Sequence, residues 1–206
     1  MTSEVGICNL ALGHLGNRAN VSAINPPDGS VEAERCAEFY PVARDAALER
    51  HAWRFAVRRQ VLAEVENTTT SWAFAYALPD DCVRPLAVLF PESTSDIDTQ
   101  PYTIEADEEG AQTLYTNVDQ ATLKFIARPT DPNKFTSLFT NAVARLLASY
   151  LAGPIIKGTE GMKVGAGHLK IFEEIDLPLA IAANVNSTKN NAYGDRHVPA
   201  HIKARA

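Results

Sequence analysis

One stretch constrains this chain more than any other: Asp131 to Leu151, DPNKFTSLFTNAVARLLASYL. Phe135, Leu138, Phe139, Ala142, Val143, Leu146, Leu147, Tyr150 and Leu151 recur at steps of three and four. That spacing puts them on one broad helical face. Lys134, Asn141 and Arg145 take the other face. Asp131 before Pro132, and then Thr136, are helix-start signals and predict a short separate first turn. Gly153-Pro154 predicts the stop. At a rise of about 1.5 Å per residue the helix is about 25 Å long. Its apolar face is too wide for an isolated surface helix, which makes it the expected spine of the core.

The chain has 206 residues, the size of one domain or of one domain with an insertion. With 46% hydrophobic residues it can bury a full core. Its formal net charge is 19 − 25 = −6, which argues against a sequence-independent grip on nucleic-acid phosphates. Cys8, Cys36 and Cys82 are widely spaced and form no CxxC, so reduced, mostly buried thiols and cytosolic synthesis are expected. No signal peptide is expected, and no apolar run is expected to serve as a membrane span.

In chain order, residues 3–15 read as a first helix with Ser3 as N-cap, a stripe of Val5, Cys8, Leu12 and Leu15, and a stop at Gly16-Asn17. Pro26-Pro27-Asp28-Gly29 is a turn signal. Ser30 opens a second helix to about Arg50, with a kink or break expected at Pro41. The alternation of Trp53, Arg54 and Phe55 predicts an extended run over 51–65. Residues 82–90 read as a strand that Pro85 confines to an edge or a bulge. Segments near 102–105, 112–115 and 121–128 predict three more strands. After the spine comes the glycine-rich stretch 158–167, then a last helix through Leu169, Phe172 and Ile175 that Pro178 limits or kinks. From Asn184 the chain turns polar and reads as a tail without its own fold.

These elements predict an α+β fold: a bundle of about four helices over 1–60 and 130–183, an inserted antiparallel β-region over 61–129, and an extended tail over 184–206.

Catalytic and metal chemistry finds little purchase. His197 and His201 are four apart with Pro199 between them, and His168 with Glu173 and Glu174 is no HExxH. His168 reads as part of a solvated helix face and His14 as a favourable contact with a helix C-terminus. The glycines at 158, 161, 165 and 167 lack the Gly-Lys-Ser/Thr ending of a phosphate loop, and the serines lie in no GxSxG. No cofactor or metal is expected. A pair of carboxylates assembled in space, as in glycosidases, leaves no sequence signature. The basic group Arg50, His51, Arg54, Arg58 and Arg59 around Trp53 and Phe55 is the strongest candidate surface. It reads first as exposed positions salt-bridged to neighbours, second as a contact for an acidic protein partner, and last as a DNA contact, which the net charge opposes.

The ordered set of segments resembles the tail tubular protein A family, the head-to-tail adaptors of short-tailed phages and related prophages. Four stretches carry the resemblance: SEVGICNLALGHLG, AERCAEFYPVARDAALERHAWRFAVRR, AYALPDDCVRPLAV and LKFIARPTDPNKFTSLFTNAVARLLASYLA. Cys36, Tyr40, Arg44, Asp45, Leu48, Trp53 and Phe55 fit the pattern, as does the Tyr-x-Leu-Pro-x-Asp-Cys-x-Arg run from Tyr76 to Arg84. They span residues 3–155, and none is a catalytic motif. The glycines before the last helix and Pro178 depart from the long, alanine-rich helix of the family, and the tail after Asn184 matches none of it.

The resemblance implies a non-enzymatic virion protein made in the host cytoplasm. It implies a twelve-subunit ring between the portal protein and the tail nozzle or tail tube, through which double-stranded DNA passes without specific binding and which has no membrane partner. Twelve copies at −6 would carry about −72, a wall that repels phosphate. On this reading Glu92, Asp96, Asp98, Asp107, Glu108 and Glu109 are candidates for the channel or the tail-facing rim. Asn184, Tyr193, Arg196, His197, Lys203 and Arg205 are candidates for the portal contact, and Arg50, Arg54, Arg58 and Arg59 for a further partner. Trp53 and Phe55 are the expected anchors where helices meet sheet. The alternatives are an adaptor with peptidoglycan-hydrolase activity, or a different ring such as a head-completion or tail-terminator protein.

Overall fold

A computed structural model describes residues 3–18, 20–93, 95–106, 110–129 and 131–186. The fold is α+β. Two helices lead in, α1 (Glu4–His14) and α2 (Val31–Glu49). Seven strands follow: β1 (Val57–Val61), β2 (Glu64–Val65), β3 (Phe74–Ala77), β4 (Cys82–Leu89), β5 (Tyr102–Ala106), β6 (Gln112–Thr116) and β7 (Thr122–Ala127). The chain then returns to helix with α3 (Ser137–Ile156), α4 (Gly158–Ile171), a π-turn (Phe172–Asp176) and α5 (Leu177–Asn186).

Side chains set the helix starts. The hydroxyls of Ser3, Ser30 and Thr136 accept from the backbone N–H groups of Gly6, Ala33 and Phe139, each satisfying a donor that the first turn leaves without a partner. Asp131 caps a separate 3-10 turn, Pro132–Lys134, ahead of α3. The spine helix is the centre of the bundle: Phe139, Ala142, Val143, Leu146, Leu147 and Leu151 are buried in a core shared with Ile7, Leu12, Tyr40, Leu48 and Phe172. By length and composition α3 is apolar enough to cross a membrane, yet here it is wrapped by α1, α2 and α4.

Several helix boundaries differ from expectation. α2 runs unbroken through Pro41. The proline is exposed, as is Val42 beside it, so its ring lies on the outer side of the helix and does not meet the core. α3 passes Gly153-Pro154 and ends at Ile156, where Lys157 (φ 62°) and Gly158 (φ 64°) reverse the chain. The glycine-rich stretch is not a connection but helix α4, packed along α3. At Pro178 the ladder widens instead of breaking: Leu177 donates its N–H five residues back, to Phe172, and the helix continues to Asn186. Asn184 therefore belongs to the bundle, and residues 184–186 of the expected tail are helical.

The β-region enters by a turn. Trp53 and Phe55 are not in a strand, because the N–H groups of Ala56 and Val57 both bond the Trp53 carbonyl. The extended run begins only at Val57. One sheet has the order β1-β7-β4 and the other β2-β3-β6-β5, with antiparallel pairing throughout. Pro85 lies in β4, at a sheet edge and beside a register shift between Pro85 and Ala87, where its missing N–H costs no ladder bond. β2 falls at the end of the extended run read over 51–65, whereas β3 had no counterpart in the sequence reading. The two sheets share a second core of Leu62, Tyr76, Val88, Leu114, Leu123 and Phe125. The Tyr76 hydroxyl donates to the Val118 carbonyl inside it at 2.8 Å.

Candidate interaction surface

Bundle and β-region meet at an aromatic hinge. Trp53 is fully buried and its indole N–H donates to the Ala47 carbonyl at 2.9 Å. Its ring meets Phe139 edge-on at 4.7 Å and stacks with Phe55 at 6.1 Å. Phe55 continues to Phe139 at 4.9 Å and to Phe135 at 5.5 Å. Trp53 and Phe55 thus stand where the chain leaves the bundle, and Phe135 where it returns.

Polar residues clamp the same junction. Asp45 on α2 accepts from Arg44 (2.8 Å) and from Arg128 just beyond β7 (2.9 Å). Arg84 on β4 donates to the Glu49 carbonyl at 2.7 Å, placing a cation at the negative end of α2. The Arg44 guanidinium lies 5.8 Å from the centre of the Tyr40 ring. Tyr40, Arg44, Asp45, Trp53, Phe55 and Arg84, all from the segments quoted for the family resemblance, are therefore packing residues of one joint.

The basic group next to this joint is largely paired. Arg50 reaches Glu173 at 3.6 Å and Arg58 reaches Asp81 at 2.6 Å. Arg59 pairs with Asp96, whose second oxygen takes Lys124 at 3.0 Å. The backbone N–H of Arg54 donates to Asn184 Oδ1 at 3.1 Å. An open groove of about 740 Å³ runs over this face of the β1-β7-β4 sheet, with Ala52, Val57, Leu86 and Ala87 contributing apolar walls and Arg54, Arg58, Arg59, Lys124 and Asp96 the charges. The Lys124 hydrogen bond, helped by the charges of Lys124 and Arg59, holds the Asp96 carboxyl below the ordinary range.

The structure thus joins two sets of residues that the sequence kept apart. Asp96, expected on a channel or tail-facing rim, is the counter-ion of the basic group. Glu92 and Asp98 line a neighbouring groove with Phe90, Ser93, Thr99 and Gln100, next to Ile97, which is 87% exposed. Asp107, Glu108 and Glu109 lie outside the described residues, as do Tyr193, Arg196, His197, Lys203 and Arg205.

Asn184 is not a free surface group. It is buried, and its Nδ2 donates to His51 Nε2 (2.9 Å) and to the Ala52 carbonyl (3.4 Å). It ties α5 to the turn that leads into β1. The outer face of the last helix is the reverse: Ile175, Leu179 and Val185 are each about half exposed, an apolar surface of the kind that marks contact sites.

A polar cluster among the helices had no sequence signature. Asp176 in the π-turn, itself buried, accepts from Arg145 Nε (3.0 Å) and Asn141 Nδ2 (2.9 Å) on α3. Arg145 Nη1 lies 3.3 Å from His168 Nδ1 on α4. The rings of His168 and His14, the last residue of α1, are 6.2 Å apart. A guanidinium only donates, so His168 accepts and is neutral here. Burial, and then the charge of Arg145, push both imidazoles below their ordinary 6.5. Neither histidine is the freely solvated group or simple dipole contact that the sequence suggested. Arg145 and Asp176 are 31 positions apart, so only the folded spine brings them together. Among the described residues, no three His, Cys, Asp or Glu side chains converge as a metal set.

No family model matches this chain, and no curated protein matches it at a significant level.

Proposed function

We propose that this chain is a structural virion protein, a head-to-tail adaptor that assembles as a twelve-subunit ring between the portal and the tail nozzle or tube and prolongs the DNA channel. One observation carries the reading: Arg44, Asp45, Trp53, Phe55 and Arg84, among the residues that carry the family resemblance, gather at the joint between helical bundle and inserted β-region. They form buried packing and hydrogen bonds there, as a protein that works by holding a shape requires. Two further features support it. The last helix keeps an apolar outer face that a neighbouring protein would cover. The net charge of −6 suits a channel along which DNA slides. On this reading the protein is monomeric until the portal templates the ring, and its sites are the virion and, before assembly, the host cytoplasm.

The test is electron microscopy of the protein mixed with the portal protein of the same genome. A twelvefold ring added beneath the portal is the expected result. A chain that stays monomeric and leaves the portal untouched sinks the proposal, and a sixfold ring of the isolated protein points to a tail terminator. Truncation after Asn186, which spares the packed Asn184, tests whether residues 187–206 grip the portal: the truncated chain is expected to remain folded and to lose portal binding.

A further inference from the structure

The groove on the β1-β7-β4 sheet holds four cations, Arg54, Arg58, Arg59 and Lys124, against a single lining carboxylate, Asp96. Arg58 turns to Asp81, while Asp96 takes both Arg59 and Lys124. We propose that this groove docks an acidic, extended segment of a protein partner, and that Asp96 is the internal occupant whose place a partner carboxylate takes. The inference rests on the reading of the chain as a protein that works by docking to other proteins.

The choice of occupant follows from charge and shape. A carboxylate between Arg59 and Lys124 shows what the groove accepts. Asp96 is 49% exposed, and exposed ion pairs are weak and screened by salt, so a second carboxylate can compete for the same cations. The turn that carries Asp96 is held by short-range bonds that do not involve the Asp96 side chain, from Ile97 N–H to Ser95 Oγ (3.2 Å) and from Thr99 N–H to the Ile97 carbonyl (2.8 Å). Asp96 can therefore withdraw while its turn keeps its shape. Val57, Leu86, Ala87 and Ala52 give the groove an apolar floor. An extended peptide presents alternate side chains to opposite sides, so one that alternates acidic and apolar residues meets the cations and the floor together. A nucleic-acid strand offers no apolar side chain to that floor, and it meets a molecule of net charge −6.

Fluorescence anisotropy on the full chain tests this, with two labelled probes: an octapeptide alternating Asp and Leu, and a short oligothymidylate. The peptide is expected to bind at low salt and to weaken about tenfold as salt rises severalfold. Asp96→Asn removes the internal competitor and is expected to tighten the peptide about fivefold, an effect that a merely structural role for Asp96 would not give. Lys124→Glu is expected to abolish binding. Lys124→Gln, which keeps much of the side-chain stem, is the second variant should the reversal unfold the sheet, and is expected to weaken binding about fivefold. Absence of peptide binding, or binding indifferent to both Asp96 and Lys124, overturns the proposal. So does tighter binding of the oligothymidylate, which would make the groove a nucleic-acid site. Failure of the groove leaves the portal-ring result standing, and failure of the ring leaves peptide binding standing.

Discussion

Gly161 on α4 lies so close to Ala152 on α3 that a Cβ at Gly161 would stand 2.7 Å from the Ala152 carbonyl oxygen. One turn later the same holds for Gly165, 2.9 Å from the Ser149 carbonyl oxygen. Both obstacles are backbone, which cannot swing aside. The two glycines are what allow α4 to lie along the spine.

Gly161→Ala is therefore expected to destabilise the protein by about 1–3 kcal/mol, because overpacking outweighs the gain in helix propensity. Gly167, in the same helix, has nothing within 4 Å of a Cβ. Gly167→Ala is expected to stabilise by about 0.5–1 kcal/mol. Urea unfolding of the two variants checks the pair. Equal effects of the same sign would refute the close approach.

The histidine cluster predicts acid sensitivity. His14 and His168 titrate below their ordinary 6.5 in the folded protein, as does His51, where burial and then Arg84 are the causes. The unfolded chain thus takes up protons first. Stability is complete above about pH 6.5 and is lost as pH falls from there through the folded values. The thermal midpoint is expected to fall between pH 7.5 and 5.5, and His14→Gln with His168→Gln to flatten that slope. Asp176 is the carboxylate that faces Arg145 in this cluster. Asp176→Ala strands a partly buried guanidinium and is expected to cost roughly 3 kcal/mol at neutral pH.

Trp53 and Asn184 tie three parts of the chain together, so their substitution should loosen the joint and not only one element. Trp53→Phe keeps an aromatic ring but leaves the buried Ala47 carbonyl without its donor, for an expected loss of about 1–3 kcal/mol. Trp53→Ala adds a cavity and is expected to cost about 3–5 kcal/mol. Asn184→Ala is expected to cost about 1–2 kcal/mol, while Asn184→Asp retains the acceptor for the Arg54 N–H and costs less. Denaturant titrations followed by tryptophan fluorescence measure all four. An Asn184→Ala protein as stable as the parent would show that α5 needs no tie to residues 51–54.

Much of the fold could be read directly because its signals are local. Ser3, Ser30, Asp131 and Thr136 each sit within a few residues of the N–H they cap. The period of the spine is written in its own apolar side chains. What escaped depended on distant partners. α4 has poor intrinsic helix propensity, and its glycines make sense only against the carbonyls of α3. β3 is four residues long, two of them alanine, and gains its place by pairing with β6. Trp53 and Phe55 alternate with Arg54 like strand residues, but one carbonyl holds that segment in a turn. The basic group was legible as a cluster, and its pairing with Asp96 was not, since Arg59 and Asp96 are 37 positions apart. Asn184 looked like the start of a polar tail because nothing near it in sequence reveals His51 or Arg54.

The insertion of the β-region between α2 and α3 also sets an order of events in time. Glu49 ends α2 and Ser137 opens α3, so the spine emerges from the ribosome only after the entire β-region. Until then α1 and α2 lack the helix that covers most of their apolar faces, and the Trp53 ring waits for Phe139. The helical core can close only when both ends of that long excursion are brought together, a non-local step that slows folding. An independently formed β-region, with its own core of Tyr76, Leu114, Leu123 and Phe125, shortens the distance to be searched. A β-region that formed first would thus serve as a scaffold for the late docking of the spine as well as a part of the finished surface.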